Sequence, residues 1–114
     1  MQYVIQSPRV RISEKTEIML QEKFDRFEKM FDRVMQCHLV LKKEKNGQQD
    51  YFIVEARLAV PGNDLYAREQ SGSFEIAAEE TCQNLERQIR KHKEKLNKKA
   101  EIPADRYVND EELE

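Results

Sequence analysis

The sequence predicts an α+β fold: β-α-β-β-β-α, a four-stranded mixed sheet with two helices packed on one face. Three observations predict it. An apolar period of 3.6 residues occurs twice, once near each end of the chain; the period changes to two in the runs between; and turn-forming residues punctuate those runs.

Met1 to Gln6 alternates Met1, Tyr3 and Ile5 with Gln2, Val4 and Gln6, is bounded by Ser7-Pro8, and reads as a short strand. Ser13 is then an N-cap, Glu14 and Glu17 suit the positive end of a helix dipole, and Leu20, Phe24, Phe27 and Phe31 recur at spacings of four, three and four. They predict an amphipathic helix from Glu14 to Asp32. From Val34 to Lys45 alternation places Met35, Cys37, Leu39 and Leu41 on one face, and Asn46-Gly47 signals a turn. Asp50 to Val60 resumes alternation with Phe52, Val54, Ala56, Leu58 and Val60. Pro61-Gly62-Asn63-Asp64 makes a second turn and Leu65 to Gln70 a shorter strand. Ser73 caps the last helix, about Phe74 to Lys98. A right-handed crossover through the first helix makes the first two strands parallel.

The chain has 114 residues, of which 37% are charged and 39% apolar, enough for one domain with a thin core. No apolar run approaches the length of a membrane span or a signal-peptide core, and two cysteines fit a reducing compartment. A cytoplasmic protein without membrane contact is expected.

The net charge of -2 conceals an uneven distribution. Residues 1–100 carry 19 basic and 16 acidic side chains, whereas 101–114 carry one basic and six acidic ones. The expected division is therefore a domain over 1–100 and an acidic flexible tail over 101–114. Just before the tail, Arg87, Arg90, Lys91, Lys93, Lys95, Lys98 and Lys99 face the single acid Glu94.

On a helical wheel the first helix places Lys15, Lys23, Arg26, Lys29 and Arg33 on one flank, with Glu22 the one acid among them, and Glu14, Glu17, Asp25, Glu28 and Asp32 on the other. Such separation of signs suggests an oriented partner. Ile18 falls outside the core arc. In the second helix Leu85, Ile89, His92 and Leu96 share an arc of about 60°, and Arg87, Lys91, Lys95 and Lys98 gather opposite. Closely spaced cations on two helices suit nucleic-acid phosphates, where each cation releases condensed counterions. Lysines near a helix end also complement its dipole, so a solvated face is the competing explanation.

Catalytic chemistry is not expected. Cys37 and His38 are adjacent on a strand and point to opposite faces, and Cys82 and His92 lie about 15 Å apart along one helix. Both cysteines read as small core residues, His92 as a half-buried helix-end histidine. No catalytic motif, metal site or cofactor-binding loop is present, and no small-molecule substrate is implied.

Val10-Arg11-Ile12-Ser13, the segment Lys23-Phe24-Asp25-Arg26-Phe27-Glu28-Lys29-Met30-Phe31, and above all Leu85-Glu86-Arg87-Gln88-Ile89-Arg90-Lys91-His92-Lys93-Glu94-Lys95-Leu96 resemble the bacterial family of short ribosome hibernation promoting factors and ribosome-associated inhibitor A. The resemblance covers about residues 1–99. It implies a non-enzymatic factor that binds the small ribosomal subunit and its rRNA in the channel used by messenger and transfer RNA, inhibiting translation under stress or in stationary phase. It implies rRNA-binding roles for Lys23, Arg26, Lys29, Arg87, Lys91, Lys93 and Lys95. Arg90 joins them as a member of the basic run. One departure is Ser73-Phe74-Glu75, where the family usually shows Asp, Met or Leu, then Tyr followed by Ala. The tail resembles the acidic tail of ribosome-associated inhibitor A, and the free protein is expected to be a monomer. The alternative is a protein–protein interaction module that presents Tyr51, Ile53 and Tyr66 on the open sheet face. A double-stranded RNA-binding domain is disfavoured, because Phe74, Glu75 and Glu79 stand where that domain carries its lysines.

Overall fold

Parallel pairing of the first two strands needs a crossover long enough for a helix, and antiparallel pairing of the rest needs only tight turns. The computed structural model has this arrangement; it describes residues 1–101, with side chains as far as Lys95. Its elements are β1 (Gln2–Gln6), α1 (Glu14–Phe24), α2 (Arg26–Met30), β2 (Gln36–Asn46), β3 (Gln49–Val60), β4 (Asn63–Ser71) and α3 (Phe74–Glu101). The sheet runs β1-β2-β3-β4, with β1 parallel to β2 and the other pairs antiparallel. The anticipated acidic tail lies, beyond Glu101, outside the described residues.

Each hairpin turns on a glycine with positive φ. Gly47, at 68°, opens the two-residue loop between Asn46 and Gln49, and Gly62, at 84°, follows Pro61 between Val60 and Asn63. A Cβ at either position is strained by the backbone alone. The turns therefore set registers that place Cys37 opposite Leu58, and Leu58 opposite Leu65.

The helical face of the sheet contributes Cys37, Leu39 and Leu41 from β2, Val54, Ala56, Leu58 and Val60 from β3, and Leu65 and Ala67 from β4. The helices cover it with Leu20, Phe24 and Phe27 on one side and Ala77, Ala78, Cys82, Leu85 and Ile89 on the other. All five α3 residues are fully buried. At roughly 25 cal/mol per Å² of apolar surface, this seam is what holds the layers together.

The predicted Glu14–Asp32 helix is interrupted at Asp25. An unbroken helix would present the Lys23 carbonyl to the Phe27 amide; here Arg26 Nε donates to that carbonyl at 2.8 Å and the Cys82 thiol approaches it at 3.8 Å. A side chain inserted into the ladder is an established cause of such a break. Asp25 keeps a right-handed helical backbone, so α2 continues the direction of α1 closely enough for Phe24 and Phe27 to enter one core.

Two placements differ from expectation. Met35 is 59% exposed and precedes β2, and Val34 is buried in its stead. The irregular turn after Phe31, whose backbone is extended, shifts the alternation by one residue at this point. Ile18, outside the core arc, is 49% exposed. His92 is half-buried as predicted and meets Phe31 edge-on at 5.7 Å between ring centroids.

Candidate nucleic-acid interface

Contacts between the helices rise together in sequence: Lys23 meets Glu79, Arg26 meets Glu86, and Lys93 meets Met30. The helices therefore run side by side in the same direction, and their basic C-terminal turns lie at one end of the molecule. The carbonyls at a helix C-terminus carry the negative end of its dipole and are stabilised where a cation answers them. Lys93 does so directly, donating to the Met30 carbonyl at 2.8 Å and capping α2.

The basic flank of the first helix divides into two parts. Its inner part, Lys23 and Arg26, faces α3. Lys23 Nζ and Arg26 Nη2 each lie 3.1 Å from Glu79 Oε1, and Arg26 Nη1 pairs with Glu86. Burial alone would raise the Glu79 carboxyl, but hydrogen bonds from Lys23 and Arg26 outweigh it and hold the group below the ordinary carboxylate value. Arg90 approaches the other oxygen of Glu86 at 3.8 Å, one helical turn away. The oriented partner of Lys23 and Arg26 in this chain is thus the acidic flank of α3.

The outer part differs. Lys29 on α2, together with Arg87 and Lys91 on α3, is exposed and has no charged or hydrogen-bonding partner among the described residues. Arg33, in the turn after α2, joins them. Lys95 is exposed as well. Of the eight residues singled out from the sequence, Lys23, Arg26, Arg90 and Lys93 therefore contribute to internal pairing or capping, and Lys29, Arg87 and Lys91 present unneutralised charge. Leu96, Lys98 and Lys99 have side chains outside the described residues.

The opposite face of the sheet carries polar and mixed side chains. Lys42 Nζ and Arg68 Nε lie 2.9 and 3.5 Å from Glu55 Oε2. The Lys42 hydrogen bond is the main reason the Glu55 carboxyl sits below its ordinary value. His38 Nε2 donates to Gln6 Oε1 at 3.1 Å. Ile53 is fully buried, with Lys42 and Gln70 opposite it on the flanking strands. It is therefore not part of an exposed apolar patch with Tyr51 and Tyr66, the feature a protein-docking face required. Arg57 and Tyr66 lie outside every helical charge pattern. Only the register of the β3–β4 hairpin brings them side by side.

Among the described residues there is no cluster of three metal-ligating side chains and no helix long and apolar enough to cross a membrane. Burial pushes the thiols of Cys37 and Cys82 up to about 12, so neither is a nucleophile near neutral pH. Burial, with the hydrogen bond to Asp25 second, likewise raises the Tyr3 hydroxyl.

Residues 3–97 match the family model described as sigma 54 modulation protein / S30EA ribosomal protein. The chain is 34% identical over 96 residues to a protein of Klebsiella oxytoca named ribosome hibernation promoting factor, covering 84% of this chain and 97% of that one. Its fold is similar to a ribosomal subunit interface protein from Coxiella burnetii, with a TM-score of 0.72, 22% identity, and coverage of 82% and 98%. It is also similar to the N-terminal domain of Thermus thermophilus Protein Y, with a TM-score of 0.70, 17% identity, and coverage of 81% and 99%.

Proposed function

Because the chain belongs to the sigma 54 modulation protein / S30EA ribosomal protein family, we propose that it is a ribosome hibernation factor. In this reading it binds the small ribosomal subunit and its rRNA in the channel for messenger and transfer RNA, and inhibits translation under stress or in stationary phase. It acts in the cytoplasm, as a monomer when free, by occupancy and without chemistry.

One observation carries the reading. Lys29, Arg87 and Lys91 stay unneutralised on parallel helices whose other cations are mostly engaged internally. Keeping like charges together costs self-repulsion in the free protein, and phosphates relieve that cost while counterions are released. The internal pairs have a different part. Lys23 and Arg26 fasten α1 and α2 to α3, which keeps the outer cations in a fixed relation for a rigid RNA surface.

Co-sedimentation with ribosomes and separated subunits through a sucrose gradient at rising salt tests this. The protein should travel with the small subunit and leave it steeply as salt increases. Reversing Lys29 and Lys91 together to Glu should abolish co-sedimentation without lowering the melting temperature. Each neutralised phosphate contact accounts for roughly 0.7–0.9 of the log–log salt slope. Undiminished co-sedimentation of the double variant would show that these cations are a solvated surface.

A further inference from the structure

We propose that the open face of the sheet is a second RNA surface, taking a single-stranded segment with one base stacked on Tyr66 and the adjoining phosphate on Arg57. The proposal rests on the ribosome-binding reading above and adds a contact made by strands to the one made by helices.

The strand registers line up Val4, His38, Arg57 and Tyr66 in one row across all four strands. Tyr66 is 46% exposed, and its backbone is pinned from the helical side. Its carbonyl accepts from Gln88 Nε2 of α3 at 2.7 Å, and Gln88 is itself anchored to Asn84 at 2.8 Å. Its hydroxyl lies near Glu55, which Lys42 and Arg68 fix in turn. The Gln88 bond pins the Tyr66 backbone, so a base that stacks on the exposed ring orders less of the chain than it would on a mobile segment.

Beside it, Arg57 is exposed and has no partner among the described residues. The row contains that cation and no acid; of the two rows beside it, one holds Glu55, already paired with Lys42 and Arg68, and the other holds Asp64, across from Ala59 at the end of the strand. His38, Val40, Glu55, Arg57 and Tyr66 line a shallow concavity of about 190 Å³. This suits one splayed-out nucleotide: a planar base for the ring, a phosphate for the unanswered guanidinium. An apolar peptide would find too little, since Ile53 is buried. An A-form duplex hides its base faces, so the occupant is single-stranded.

The test titrates the full chain with a twelve-nucleotide oligoadenylate and, separately, with an RNA duplex of the same length, followed by amide chemical shifts. The single strand should shift His38, Arg57 and Tyr66, and the duplex should not. Tyr66→Ala should weaken single-strand binding on the order of tenfold or more, and Tyr66→Phe, which keeps the ring, far less. Arg57→Gln should lower the salt dependence of the same titration. Shifts confined to the helices, or equal affinity of Tyr66→Ala and the parent chain, would overturn the proposal. So would a Tyr66→Ala variant that leaves ribosomes but still binds the oligonucleotide, because the face would then dock protein. Failure of the parent chain to co-sediment with ribosomes while the oligonucleotide still titrates the sheet would refute the ribosomal reading alone.

Discussion

Replacing Arg26 with Ala separates a structural cation from an RNA-binding one. The guanidinium pairs with Glu79 and Glu86 and donates to the Lys23 carbonyl, three contacts made by one side chain. The Arg26 side chain is 33% exposed and that of Glu86 is 21% exposed, so solvent screens the seam in part. Exposed pairs contribute about 0.2–1 kcal/mol and broken buried ones cost 3–5 kcal/mol, which places Arg26→Ala at roughly 1–2 kcal/mol. Lys23 still answers Glu79 in the variant, but Glu86 keeps only Arg90 at 3.8 Å. For a domain of this size the loss corresponds to a fall in melting temperature of roughly 5–10 °C. Urea denaturation with an unchanged m-value measures it, and a double-mutant cycle with Glu86→Ala should give a coupling of at least about 0.5 kcal/mol. Lys91→Ala, exposed and unpaired, should change stability by less than about 0.5 kcal/mol. Equal small losses from Arg26→Ala and Lys91→Ala, with no coupling to Glu86, would refute the structural role of the seam.

Two further outcomes follow from the buried and paired groups. Glu79 and Glu55 titrate below the ordinary carboxylate value of 4.5 in the folded protein, so their contribution is complete above that pH and lost as pH falls through the lower folded values. Urea midpoints should therefore drop below pH 4.5, and Glu79→Gln should flatten that drop. Cys37 and Cys82 rise from 9.0 to about 12, so their contribution is complete below pH 9 and lost as pH climbs towards 12. At pH 8 an alkylating reagent should modify both thiols no faster than the protein unfolds, and rapid labelling of either in native buffer would contradict their burial.

The periodicities of the sequence carried most of the architecture. Leu20, Phe24 and Phe27 enter the core as their spacing requires, and Gly47 and Gly62 turn the chain where composition places the turns. Met35 departs because the register at a strand's start depends on the irregular turn before it, which leaves little local signal. The helix break at Asp25 was equally invisible, since the groups that converge on the Lys23 carbonyl there are the neighbouring guanidinium and a thiol 59 positions beyond Lys23.

The candidate interface was legible in kind and only partly in membership. A one-dimensional wheel sorts charges by angle about a single axis, so it grouped Lys23 and Arg26 with Lys29. It could not show that an acidic flank of another helix lies against the first two. The sequence by itself determined the order of elements, the apolar faces, the turns and the gathering of cations, because these follow from spacing and local backbone chemistry. Tertiary structure alone decided which cations remain unpaired and that Arg57 stands beside Tyr66. Neutralisation depends on distances of a few ångströms between residues some 60 positions apart, and such distances exist only once the helices are laid side by side on the sheet.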